Sequence, residues 1–263
     1  MKHLHSLILI SALILFCSCG NKKSFTITGT LYNGAGKTVY IEEIVPGAEE
    51  PLFIDSIILD NKGAFTFKYS MPYPTFYNLH VSDVDYIVLL PKNGETINIK
   101  GNYNDFSTSY SLEGSPESQL LWQLQDYTNI GIAAIREIVE IDQQNRERFG
   151  QDSNGYKKAK LETDTMFLDA RNAQAEYICK FIVDNRGSLA TLIALYKPFN
   201  NQPLLRPDLN FDYYEYVLDG LQEALPENPH TLHFKSSVEF LRHKYGGTPE
   251  AVGMSFDEIA NEE

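Results

Sequence analysis

The sequence predicts an α+β protein, with an N-terminal antiparallel β-sandwich over residues 24–114 followed by an all-α helical domain over 115–247. Three observations carry this. From Phe25 to Glu113, apolar and polar residues alternate in short runs broken by turn residues, the pattern of half-buried strands. After Gly114-Ser115-Pro116 the apolar residues recur at spacings of three and four, the period of a helix. Of the 263 residues, 43% are hydrophobic and 12% aromatic, enough to build a core and to exclude wholesale disorder.

The first segment precedes the fold. Met1-Lys2-His3-Leu4-His5 is a short basic start, Ser6 to Phe16 is an apolar run, and Cys17-Ser18-Cys19-Gly20 follows. This is the layout of a secretory signal over residues 1–18. The run is shorter than the about 20 apolar residues of a membrane span. Its end resembles a bacterial lipobox, with small Ser18 before the cut and Cys19 as the lipidated residue. Phe16 departs from the usual Leu, and Cys17 is the other candidate, with bulky Phe16 directly before it. Two or more acyl chains make a stable anchor, so the membrane is an expected partner through Cys19. Residues 19–23 then form a lipid-anchored tether.

Strands are expected at Phe25–Leu31, Val39–Ile41, Phe53–Leu59, Ala64–Tyr69, Thr75–Val81, Tyr86–Leu90, Thr96–Lys100 and Ser109–Leu112. Asn33-Gly34, Asp60-Asn61-Lys62-Gly63 and Asn93-Gly94 punctuate them, because Asn and Gly accept positive φ. Ser115 then caps a long helix with Pro116 in its first turn. Its stripe is Leu120, Leu124, Tyr127, Gly131, Ala134, Ile138 and Ile141, with Gly131 a candidate kink at about 1 kcal/mol relative to Ala. A loop spans Phe149 to Gly155. A second helix runs from Tyr156 to Val183, with Phe167, Ala170, Tyr177, Ile178 and Phe181 inward. Ser188 caps a short third helix to Tyr196, and 198–207 is loop. Phe211–Leu225 and a segment from Asn228-Pro229 to Tyr245 complete the helices.

Candidate chemistry is sparse. With 22 Lys+Arg against 35 Asp+Glu, the formal charge of -13 opposes phosphate-backbone binding and excludes nucleic acid as a partner. Three Cys exclude a disulfide framework. Gly34-Ala35-Gly36-Lys37-Thr38 has the end of a P-loop, but Leu31 stands where its first Gly belongs and a strand follows, so it is a hairpin turn. His230 and His233 sit three apart, short of the third ligand zinc needs, and are expected as surface histidines in the first turn of a helix. His80 and His243 are solitary and structural. Cys179 is a lone thiol in an amphipathic helix and cannot run dithiol exchange. Asp83 and Asp85 could share a strand edge, as could Glu42 with a neighbour. Trp122, Tyr127 and sandwich tyrosines are expected to pack, with a ligand platform as the alternative. No catalytic residue, metal site or cofactor is expected.

The layout as a whole is familiar. Phe25-Thr26-Ile27-Thr28-Gly29-Thr30-Leu31, Asp55-Ser56-Ile57, Gly63-Ala64-Phe65-Thr66-Phe67 and Leu112-Glu113-Gly114-Ser115-Pro116 resemble the DUF4369 domain of Bacteroidetes lipoproteins. Tyr177 to Ile182 leading into Asn185-Arg186-Gly187-Ser188 resembles the region between that domain and the thioredoxin fold of TlpA/AhpC-TSA-like thiol-disulfide oxidoreductases. Val252 to Asp257, within a tail over 248–263, resembles the run-in to that fold. The resemblance implies reductive thiol chemistry, yet the sequence holds no CxxC, so no catalytic residue carries over. The tether lacks the acidic run that favours surface display in such lipoproteins, which points to the outer membrane with the protein facing the periplasm.

The resulting expectation is a lipid-anchored cell-envelope protein without catalysis of its own, a binding or scaffold module with a protein partner in the envelope. The alternatives are a truncated or split oxidoreductase whose thioredoxin domain is lost or supplied in trans, and a carbohydrate- or peptide-binding lipoprotein using Tyr73, Phe76 and Tyr77.

Overall fold

The structure, a computed structural model, describes residues 24–245. The signal segment, Cys19, the tether before Ser24 and the tail over 248–263 lie outside the described residues.

The N-terminal half holds β1 (Phe25–Tyr32), β2 (Thr38–Ile44), β3 (Leu52–Ile58), β4 (Ala64–Tyr69), β5 (Phe76–Ser82), β6 (Asp85–Leu89), β7 (Thr96–Asn102) and β8 (Ser111–Glu113). They form two sheets, in the orders β4-β1-β7-β8 and β3-β2-β5-β6. The inward positions of both sheets, among them Phe25, Ile27, Val39, Ile41, Phe67, Leu79, Ile97 and Ile99, fill one apolar core. The expected sandwich is present with one difference in pairing. β7 lies parallel to β1, with Ile27 opposite Ile97, so that sheet is mixed. The alternation of a half-buried strand is the same in either direction, and the chain crosses to the other sheet and back twice between β1 and β7.

The last expected strand, Ser109–Leu112, is shifted to β8, and Ser109 instead ends a short helix, α1 (Phe106–Ser109), whose Phe106 is fully buried. Asp85 accepts from the backbone N–H groups of Phe106 and Ser107 at 3.0 and 2.7 Å, which starts α1 from a distant strand. The turn before β4 forms as expected, with the Asp60 carboxylate accepting from Lys62 N and Ala64 N.

The helices are α2 (Pro116–Phe149), α3 (Asn154–Asp184), α4 (Ala190–Leu195), α5 (Phe211–Ala224) and α6 (Pro229–Tyr245). Ser115 accepts from Ser118 N and Pro116 opens α2, as the cap signal predicts. α3 begins two residues earlier than expected, because Ser153 caps it through Tyr156 N. Ser188 accepts from Ala190 N at the start of α4. The loop over 198–207 contains a minimal hairpin of β9 (Pro198–Phe199) and β10 (Gln202–Pro203), turned by Asn200 and Asn201 at φ 47 and 60.

α2 and α3 pair as a long hairpin, and α2 is continuous through Gly131. Gly131 is therefore a contact site and makes no break. A Cβ there would lie 2.7 Å from the Gln174 side chain, whose Nε2 donates to Tyr127 O at 2.9 Å. One turn away Tyr127 and Tyr177 stack with ring centroids 3.6 Å apart. The helical core takes in Leu124, Ile178, Ile182, Tyr213, Tyr214 and Leu221, and also Phe76 and Leu90 from the sandwich.

Candidate functional site

Side chains of β5 alternate. Tyr77 and Leu79 enter the sandwich core, while Phe76, Asn78 and His80 lie on the opposite face of the sheet. One end of that outer face is covered by helices. Leu90 N donates to Ser118 Oγ at 3.0 Å, which fixes the start of α2 on the end of β6. Glu117 pairs with Lys92 at 3.1 Å and accepts from Ser188, drawing the start of α4 to the same place. On the other flank, Asn228 Nδ2 donates to Pro74 O at 2.8 Å, and His230 Nε2 meets Thr75 Oγ1 at 2.9 Å. These bonds set the helices on the sheet from both sides.

Between the two layers the packing leaves a crevice of about 520 Å³. Its floor is the outer face of the sheet, with Ile44, Asn78 and Val88. Its roof is Leu121 and Gln125 of α2 with Leu192 and Ile193 of α4. Tyr86 and Tyr196, 46% and 54% exposed, stand at its solvent side. This volume lies within the about 300–1,000 Å³ of small-molecule sites, and the mainly apolar lining with few polar groups is the usual composition.

Two polar groups in the crevice are incompletely satisfied. Lys197 is largely buried, its Nζ donates to Gln125 Oε1 at 3.0 Å, and burial pushes its ammonium below the ordinary lysine range. The Asn78 Oδ1 is shut off from solvent and has no hydrogen-bond partner. Burial raises the phenols of Tyr110 and Tyr196, so both stay protonated donors. Trp122 Nε1 donates to Tyr110 O at 3.2 Å and places the indole behind this wall. Asn78, Gln125 and Lys197 carry no local motif, and packing alone brings them together.

The candidates named from sequence fall elsewhere. His230 is buried, not a surface histidine, because Asn228 caps α6 and turns its first turn into the sheet. Phe76 packs edge-on against its ring at 5.0 Å, and burial, with His233 adding repulsion, pushes its pKa down to about 4. His233 is exposed. Among the described residues, no group of three or more His, Cys, Asp and Glu could hold a metal ion. The Gly34 to Thr38 segment is a turn leading into β2, with Lys37 N donating to Gly34 O. Cys179 is buried and its thiol pKa is raised by burial. Asp85 is occupied by α1. Glu42 lies 3.6 Å from His80, which stacks on Tyr40 outside the crevice. Phe76 and Tyr77 are 2% and 3% exposed, so they form no ligand platform with Tyr73.

Residues 25–121 match the family model described as Domain of unknown function (DUF4369). The match runs from β1 into the second turn of α2 and ends on Leu121 in the crevice roof. No curated protein and no solved structure matches the chain.

Proposed function

We propose that this is a lipid-anchored cell-envelope protein that acts as a non-catalytic binding module, with the crevice between sandwich and helices as its ligand seat. The observation that carries the binding reading is the crevice itself. It is of small-molecule size, mainly apolar, and holds a desolvated ammonium. The anchoring reading is supported by the signal-like start and Cys19. The resemblance to Bacteroidetes lipoproteins, and through them to the accessory part of TlpA-like thiol-disulfide oxidoreductases, supports an outer-membrane site facing the periplasm. The absence of CxxC from the sequence supports a role without thiol chemistry of its own.

The test has two arms. Cells carrying the wild type are expected to incorporate labelled palmitate into the protein and retain it in the membrane fraction, and Cys19→Ala is expected to abolish both. Soluble protein from residue 24 is then screened against small acids, amines, alcohols, sugars and dipeptides by thermal unfolding, beside Ile193→Trp, which fills the crevice from α4. Ligands that stabilise the wild type and not the filled variant support the reading. A screen without such ligands, or insulin reduction by the purified protein, overturns it.

A further inference from the structure

The crevice also specifies what it takes, and this step rests on the binding reading above. Its lining contains one charged side chain, Lys197, and no carboxylate, in a chain with 35 acidic residues against 22 basic ones. An ammonium has three N–H donors. Gln125 Oε1 takes one of them. The group that suits the remaining donors is a single anion with acceptor oxygens. A dianion would bring a second charge into a site with no cation to meet it, and a neutral ligand would leave the ammonium under-bonded. Ile44, Val88, Leu121 and Leu192 leave an apolar volume for the body of the molecule.

We propose that the crevice binds an apolar monocarboxylate, the carboxylate on Lys197 and the hydrocarbon between sheet and α4. This chemistry occurs at the head of an N-acyl amino acid and at the C-terminus of an apolar peptide.

Trp122 reports binding, since it is the one tryptophan of the chain and its indole is bonded to the wall residue Tyr110. N-decanoylglycine, its neutral counterpart N-decanoylglycinamide, decylamine and acetyl-Leu-Leu-Gly are titrated by fluorescence. An acid of the right kind is expected to bind about tenfold more tightly than the neutral amide, the scale of one hydrogen bond to a charged group. Lys197→Met is expected to remove that preference. Whichever acid binds more tightly assigns the source, acyl amino acid or peptide. Equal affinity for acid and amide, or a preference for the amine, overturns the assignment while leaving the crevice a ligand seat. Absence of binding by all four probes also overturns it, and the broader screen with Ile193→Trp then judges the binding reading separately.

Discussion

Gly36 and Gly63 hold the same left-handed backbone, φ 75 and 77, in different surroundings. A Cβ at Gly36 would meet nothing within 4 Å, whereas at Gly63 it would lie 2.1 Å from the Leu31 carbonyl oxygen. Gly36→Ala therefore carries only the cost of a non-glycine residue at positive φ, about 1 kcal/mol. Gly63→Ala must also move the β1 backbone, and we expect a loss of at least about 2 kcal/mol in urea unfolding. Equal losses would refute the distinction. His230 supplies a prediction in pH. Its folded pKa of about 4 lies below the ordinary 6.5, so the unfolded chain takes up a proton that the fold refuses. Stability is full above about pH 6.5 and is lost as pH falls towards 4, by about 2–3 kcal/mol. Glu43, bonded to Thr75, has its carboxyl raised by burial and works in the opposite sense, its contribution lost as pH rises. The comparison that isolates the imidazole is wild type against His230→Gln between pH 7 and 4, and the variant is expected to show the flatter profile.

At the scale of the element, the α2–α3 hairpin sets intrinsic preference against contact. Ala is favoured over Gly inside a helix by about 1 kcal/mol, yet at Gly131 the added methyl would displace the buried Gln174 carboxamide from Tyr127 O. We expect Gly131→Ala to destabilise by about 1 kcal/mol and Gly131→Ala with Gln174→Ala to recover at least that much, a coupling read by a double-mutant cycle. Additive losses would show that the two residues do not meet. This element also marks what a sequence can disclose. Ser115-Pro116 and Asp60 to Gly63 were legible because cap and turn act through neighbouring residues. The glycine's role was not, because its partner lies on another helix. The parallel β1–β7 pair was hidden for a related reason, since a period of two says which face is buried and not which strand lies alongside. The burial of His230 depended on Asn228 reaching Pro74, far away in the sequence.

For the whole molecule, the two halves meet through shared apolar side chains as well as hydrogen bonds. Phe76 and Leu90 belong to the sandwich by sequence and to the helical core by packing. The crevice exists only while that junction holds, which is why Asn78, Gln125 and Lys197 could not be grouped by reading along the chain. Removing the junction would expose Phe76 and Leu90, each 2% exposed in the fold, together with the helical residues packed on them. Burial of large side chains stabilises by about 1.5–3 kcal/mol each, so neither half is expected to unfold first at leisure. Thermal melts followed by helical circular dichroism and by the β-sheet amide I infrared band of the sandwich should coincide in one transition. Leu90→Ala should lower both together, with a loss of about 2–4 kcal/mol and weakened ligand binding in the crevice. Two separated transitions in the wild type would show that sandwich and helices are independent, and the crevice would then be a gap between neighbours and no built site.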